Sequence, residues 1–284
     1  MGAGGGGPTP AGEPPLLGQH THARVSIGGV GIDALDEQQV IDHIVRRSAA
    51  GEGGLLVTPN VDHLRQLARG GPLADAYRRA TLTVADGQPV VWASRIQGQP
   101  LPERVAGSSL LWTLAATAAD RNLSVALLGG ADGSAAATAA ELLARSPGLE
   151  VALVAAPRAS SPPTAQEVEG ISRLIAEASP SITFLAFGAP KQELLGAALS
   201  ERFPHVWFLG VGASFEMASG SLPRAPMLLQ RVGLEWLWRL AMEPRRLARR
   251  YLLEDLPYVP RLFGSALRQR VRRRRARRRG GAGR

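Results

Sequence analysis

Lys191, Gln192 and Glu193 offer a cation, a carboxamide and a carboxylate at consecutive positions, a set able to meet a charged or sugar-like ligand. They close the run Phe187-Gly188-Ala189-Pro190-Lys191-Gln192-Glu193. The apolar run Ile182-Thr183-Phe184-Leu185-Ala186 precedes it and reads as a buried parallel strand. Leu194 to Leu199 follows with helical spacing. Gly188 permits a sharp turn off the strand, and Pro190 suits a first helical turn. The three polar residues therefore fall at a helix N-terminus, where free N–H groups and the helix dipole favour an anion. Lys191 is the only lysine in the chain. A capped, solvated helix start is the alternative reading, and codon bias toward arginine is the alternative for the lone lysine.

Three other turns carry similar signals. Leu82-Thr83-Val84 runs into Ala85-Asp86-Gly87-Gln88-Pro89. An Asp followed by Gly at the carboxyl end of a parallel strand lies where such folds place reacting groups, although an Asx turn would use the same pair. Leu55-Leu56-Val57 runs into Thr58-Pro59-Asn60-Val61-Asp62, small polar residues able to cap the next helix. Ser124 to Leu128 runs into Gly129-Gly130-Ala131-Asp132-Gly133, a Gly-rich turn before a helix that suits a phosphate. It has neither a full G-x-G-x-x-G nor the G-K-[ST] ending of a P-loop.

Positioning these turns requires strands alternating with helices from about residue 25 to 215. Further strands are expected at Val25-Ser26-Ile27, Leu149 to Val154 and Val206 to Leu209. Asp36 and Thr164 are expected to cap helices, Thr164 with Glu167 in a capping box. The pattern implies an α/β fold with an open, mostly parallel sheet flanked by helices. The turns at 58–60, 86–88, 129–133, 188–193 and 210–214 then share the sheet's carboxyl edge and can line one crevice. After Gly220 the texture changes to aromatic and arginine-rich helix: Leu234-Glu235-Trp236-Leu237-Trp238-Arg239-Leu240, then Glu243-Pro244-Arg245-Arg246-Leu247-Ala248-Arg249. Such a stripe suits a membrane interface, and equally a helix packed on the sheet with its arginines snorkelling. The expected organisation is an arm without order over 1–23, a catalytic α/β domain over 24–222, a helical membrane-associating appendage over 223–264 and a basic tail without order over 265–284.

The composition narrows the classes. The chain has 284 residues, is 45% hydrophobic and contains no cysteine, which excludes disulfides and thiolate metal sites. The net charge of +9 comes from the end: ten arginines lie between Arg268 and Arg284, without an acid, and the remainder carries −1. No apolar run reaches the length of a transmembrane helix, and the Gly/Pro-rich start lacks the form of a signal peptide. A cytoplasmic body is expected.

Several of these stretches together resemble one family. They are Thr58-x-Asn60, Ala85-Asp86-Gly87, Glu103-Arg104-Val105-x-Gly107, Phe187 to Glu193, Gly210-Val211-Gly212-Ala213-Ser214-Phe215, Gly220, Arg224-Ala225-Pro226, Leu234-Glu235-Trp236, Arg239-Leu240 and Glu243-Pro244-Arg245-Arg246. In this order they resemble the WecG/TagA/CpsF glycosyltransferases, over roughly Val25 to Phe263. The resemblance implies inverting transfer of an N-acetylhexosamine, by default N-acetylmannosamine, from a UDP-sugar. It implies a polyprenyl-diphosphate-linked acceptor and a site on the cytoplasmic membrane face, completed by the C-terminal appendage. By position it makes Asp86 and Gln192 the catalytic pair, and Thr58, Asn60 and Arg104 pocket residues.

Chemistry fills in the roles. Inverting transfer needs a base for the acceptor hydroxyl, which Asp86 can supply. Charge on the leaving UDP can be met by Lys191, Arg104, the Gly129-Gly130 turn and helix N-termini, with Gly188 and Glu193 at the same turn. Arg224, Arg239, Arg245, Arg246 and Arg249 can engage the lipid diphosphate. With no Asp-x-Asp and no histidine spacing for a ligand set, no metal or other cofactor is expected. The expected partners are UDP-N-acetylhexosamine, the lipid-linked sugar and an anionic membrane surface, and a homo-oligomer is compatible with the sequence. Two other readings stand beside this one: a nucleotide-cofactor oxidoreductase on a Rossmann-like sheet, which lacks the dinucleotide fingerprint, and a nucleic-acid binder using the arginine tail. The tail has no interleaved aromatics, so specific nucleic-acid recognition is not expected.

Overall fold

The computed structural model describes residues 22–223, 225–226, 228–229 and 234–281. Its centre is a six-stranded parallel sheet. The strands are β3 (Gly54–Val57), β4 (Leu82–Thr83), β5 (Ser124–Gly129), β6 (Glu150–Ala155), β7 (Ile182–Ala186) and β8 (Trp207–Gly210), in spatial order β4-β3-β8-β7-β5-β6. Apolar runs with helices on both faces are what a buried parallel sheet demands. Alternation within the runs sorts the side chains. Leu56, Phe184, Trp207 and Leu209 join one core, with Val40, Ile41 and Ile44 of α1 (Glu37–Ala49) and Leu110, Leu111 and Leu114 of α5 (Gly107–Asp120). Leu55, Leu185 and Phe208 join the other, with Val168, Ile171 and Ile175 of α7 (Ala165–Ala178) and Leu195 and Leu199 of α8 (Lys191–Arg202). Each such buried side chain contributes about 1.5–3 kcal/mol of transfer free energy.

The caps form as expected. Asp36 and Thr164 both close capping boxes, with Gln39 and Glu167 respectively. The first strand does not join the main sheet. β1 (Arg24–Ile27) turns at Gly28-Gly29 and pairs antiparallel with β2 (Val30–Asp33). Both glycines have positive φ, +60° and +88°, the requirement of a two-residue hairpin turn compatible with strand twist.

The remaining helices of the α/β part are α2 (Val61–Leu67), α3 (Pro72–Arg79), α4 (Gln88–Gln97), α6 (Ser134–Arg145) and α9 (Ser214–Ala218). The C-terminal part contains α10 (Glu235–Met242), α11 (Pro244–Ala248), a π-helical turn (Arg249–Asp255) and α12 (Tyr258–Gly281). The stretch from 265 to 281 departs from the expected lack of order, because it continues α12 without a break. Leu262 and Ala266 are 2% exposed and pack with Val90 and Val91 of α4 and with Val25, Ile27 and Ile32 of the hairpin. Arginine is a good helix former, so a helix nucleated by that packing extends through the basic run. The expected arm over 1–23 falls almost entirely outside the described residues, as does Arg224.

Candidate functional site

Each parallel strand ends in a turn on the same edge, and the turns surround a cavity of about 860 Å³. Of the residues singled out by sequence, Thr58, Asn60, Asp86, Arg104, Gly130, Gly188, Lys191 and Gln192 line it. From the appendage, Arg239 and Arg246 line it as well. Gly129 and Glu193 are buried behind the wall, while Arg245 and Arg249 are exposed outside the lining.

The local geometry follows from the turns. Asn60 is the N-cap of α2, and its side-chain oxygen accepts the His63 N–H at 3.2 Å. The Asn60 N–H in return donates to His63 Nδ1 at 3.3 Å. Asp86 follows β4 and precedes α4; its backbone N–H donates to the Pro59 carbonyl at 3.0 Å, tying the two turns together. Gly188 has φ +71°, the left-handed bend that carries the chain from β7 toward α8. Pro190 is the N-cap residue there, so Lys191 begins the helix. Glu216, assigned no role by sequence, accepts the Ala131 N–H at 2.9 Å and fixes the Gly-rich turn after β5.

Charge is concentrated where three elements meet. Arg104 Nη1 donates to Glu235 Oε2 of α10 at 2.8 Å and stands 4.0 Å from Asp86 Oδ1. The Asp86 side chain keeps 29% of its surface open to the cavity. Burial pushes its carboxyl up to about 6, while Arg104 pulls the other way, Glu235 adds to the rise, and Arg239 and His63 oppose it. A carboxyl of this kind is ionised at neutral pH yet basic enough to accept a proton from a hydroxyl in a transition state. Farther out, Arg246 forks onto Glu243 at 2.8 and 2.5 Å, and that pairing holds the Glu243 carboxyl below its ordinary range. Arg250 completes this side of the lining.

Sequence reasoning gave no role to His63, Glu235, Glu243 or Arg250, although Glu235 and Glu243 stand in stretches that carry the family resemblance. His63 was legible as the third residue of a cap that begins at Asn60. The other three sit on helices whose approach to the sheet is a long-range event. Among the described residues, no group of three or more His, Asp or Glu is arranged to hold a metal ion.

A cavity at the carboxyl edge of a parallel sheet, with a carboxylate of raised basicity, a guanidinium and a buried carboxamide, is an arrangement for moving a group onto a hydroxyl while holding an anion. The family model for the glycosyl transferase WecG/TagA/CpsF family matches residues 25–276, sheet and appendage alike, and the chain belongs to that family of glycosyltransferases.

Proposed function

We propose that this glycosyltransferase moves an N-acetylhexosamine, by default N-acetylmannosamine, from a UDP-sugar to a polyprenyl-diphosphate-linked sugar, with inversion. The observation that carries the reading is the convergence of Asp86, Arg104 and Gln192 in one cavity whose far wall is an arginine-bearing appendage. Asp86 takes the proton of the acceptor hydroxyl as its oxygen attacks the anomeric carbon. The bond from that carbon to the diphosphate breaks on the opposite face, and UDP leaves with the electron pair. Arg104, Lys191 and the N-terminus of α8 meet the charge that builds on the diphosphate. Thr58, Asn60 and Gln192 hold the sugar. Arg239 and Arg246, inside the cavity, engage the acceptor's diphosphate, and Arg245 and Arg249 face the lipid headgroups. No metal is required in this scheme.

The acceptor is a lipid, and the appendage suits it. Among the described residues no helix is long and apolar enough to cross a membrane. Yet Leu252, Leu253 and Leu256 are 44%, 72% and 51% exposed beside Arg245, Arg246 and Arg249. Leucines interleaved with arginines suit peripheral attachment to an anionic, cytoplasmic membrane face.

The test is transfer from a panel of UDP-N-acetylhexosamines to a short-chain polyprenyl-diphosphate-sugar, read by mass spectrometry, with and without EDTA. A product of one added HexNAc with inverted anomeric configuration is expected in both. Stabilisation by a nicotinamide dinucleotide, without stabilisation by UDP, would overturn the reading in favour of an oxidoreductase.

A further inference from the structure

Behind the cavity wall, hydrogen bonds and one close polar contact link three strand-end turns. Gln192, Glu193 and His63 are 5%, 3% and 3% exposed. The Gln192 carboxamide is held at both ends: its oxygen accepts the Gly212 N–H at 2.9 Å, and its Nε2 donates to Glu193 Oε1 at 2.9 Å. A backbone N–H can only donate and a carboxylate can only accept, so these two partners decide which end of the amide is which. A flipped amide would set NH2 against N–H and oxygen against carboxylate. Space is equally restrictive. A Cβ on Gly210 would lie 2.5 Å from Gln192 Nε2, so the glycine that ends β8 makes room for the amide in this pose.

Glu193 is itself held. His63 Nε2 lies 3.4 Å from Glu193 Oε1. The Asn60 N–H directed at Nδ1 makes that nitrogen an acceptor, which leaves the ring hydrogen on Nε2, toward Glu193. Burial opposes a charge on His63, whereas the carboxylates of Glu193, Asp62 and Asp86 together raise the ring's proton affinity. The N–H facing Nδ1 is the closer constraint, and it keeps a second proton off the ring. A carboxylate buried against a neutral ring and an amide is costly to fold, so stability alone does not account for it at this position.

We propose that Glu193, backed by His63, is a positioning residue that fixes Gln192 as a hydrogen-bond donor toward the cavity. The Gly212 N–H occupies one lone pair of the amide oxygen and Glu193 takes one hydrogen of Nε2; the remaining N–H of Nε2 is the group we assign to the substrate. The substrate atom it meets is therefore an oxygen lone pair, such as an N-acyl carbonyl or a sugar hydroxyl oxygen, not a hydroxyl proton. The wiring stands on the geometry alone; the identity of the substrate atom rests on the transferase reading above.

An exchange of the two residues tests it. In Gln192→Glu/Glu193→Gln the net charge is kept. The Gly212 N–H still meets an oxygen, and the new amide still meets a carboxylate. The N–H facing the cavity is lost, and His63 Nε2 meets the new amide's NH2 where it met Glu193 Oε1, a contact that His63→Ala removes separately. The exchange variant is expected to melt close to wild type but to lose about 100-fold or more in kcat, the loss typical of removing one donor to a developing charge. The single Glu193→Gln, which lets the amide turn over, is expected to lose about tenfold in kcat with little change in KM for the donor sugar. An exchange variant with the kcat of wild type overturns the proposal. A second readout needs no turnover. The side-chain NH2 signals of Gln192 in nitrogen-15 spectra, identified by their loss in Gln192→Glu, are expected to shift in Glu193→Gln and His63→Ala. Signals unchanged in both variants overturn the wiring even if the exchange variant does not fold. A wild-type protein that transfers no sugar counts against the transferase reading, and the amide signals then decide the wiring by themselves.

Discussion

The carboxyl edge of the sheet and the C-terminal appendage face one another across a single cavity, but different forces hold them. Thr58, Asp86 and Gln192 stand at the ends of strands whose neighbours Leu55, Leu56, Phe184, Leu185 and Phe208 are 0–1% exposed. Close packing of that density permits little displacement of the turns. Between Leu234 and Pro257 the buried side chains are Leu247 and Asp255. There, attachment is by charge. Arg65 of α2 reaches Asp255 at 2.9 Å, Glu254 at 3.0 Å and Asp62 at 2.5 Å, and Arg104 reaches Glu235 at 2.8 Å. The contrast teaches a division of labour. In the proposed reaction the edge holds the reacting groups in fixed geometry, and the appendage is a wall held by ion pairs, the part that can yield to the proposed lipid-linked acceptor.

The sharpest way to break that comparison is to ask whether the rigid edge gives up stability for chemistry. Asp86→Asn is expected to lower kcat by about 10²–10⁴-fold, the range for loss of a general base. The same substitution is expected to raise the melting temperature at pH 8. Because burial pushes the folded carboxyl up to about 6, above the 3.8 of a free aspartate, the folded protein binds this proton more tightly than the unfolded chain. The ionised form therefore costs stability as pH rises from about 4 to 6, in full above that, by about 1–3 kcal/mol. Thermal melts and rates on one preparation check both signs. In wild type, kcat/KM is expected to fall about tenfold per pH unit below pH 6, as the base becomes protonated. A variant both inactive and less stable would mean that Asp86 holds the fold rather than the reaction.

The next largest effect concerns the wall. Arg65→Met leaves the Asp62 and Asp255 carboxylates buried side by side, with Arg250 at 3.7 and 3.9 Å as partial relief. Burial already raises the Asp255 carboxyl, opposed by Arg65. Removing one partner of such a network costs about 3–5 kcal/mol, less whatever Arg250 recovers. The cost falls on docking of the appendage. Limited proteolysis over 243–257 is expected to accelerate, and KM for the lipid acceptor to rise about 10–100-fold, with UDP affinity nearly unchanged. If UDP affinity and the main thermal transition fell together with the acceptor KM, the edge and the wall would be one cooperative unit and the comparison would fail.

The same contrast explains how much could be read from sequence. The turns at Thr58, Asp86, Gly130 and Gln192 were legible because strand, bend and helix start are local signals, and a parallel sheet sends all of them to one edge. Asp36 and Thr164 were legible as caps for the same reason. The hairpin return at Val30–Asp33 was not, because Gly28-Gly29 reads simply as a loop until both glycines are known to be left-handed. Glu193 looked like a ligand-facing residue beside Gln192. Consecutive residues on a helix point about 100° apart, and the fold turned Glu193 inward to His63. The partners least accessible to sequence were Arg104 with Glu235 and Arg65 with Asp255, which lie 131 and 190 residues apart. Nothing local marks which guanidinium finds which carboxylate. The order of the basic run after Leu262 depended likewise on α4, a helix far away in sequence.

The smallest effect tests what the wall faces on its outer side. Leu253 is 72% exposed, and Leu252 and Leu256 lie nearby on the same turn of chain. In water an exposed leucine contributes little to folding, so replacing all three by Gln is expected to change stability by about 0.5 kcal/mol or less per site. Against a bilayer the same side chains leave water, and each is worth about 1.5–3 kcal/mol if fully buried there. Even partial insertion predicts that the triple variant binds anionic vesicles about tenfold or more weakly, with an unchanged melt and an unchanged kcat on a water-soluble acceptor. Vesicle flotation at low and high salt separates the two contributions. The arginines of α12 act through screened charge and lose their effect as salt rises, whereas leucine insertion does not. Binding that survives the triple substitution and vanishes in salt would assign the membrane surface to α12 and leave Leu252, Leu253 and Leu256 without a lipid role.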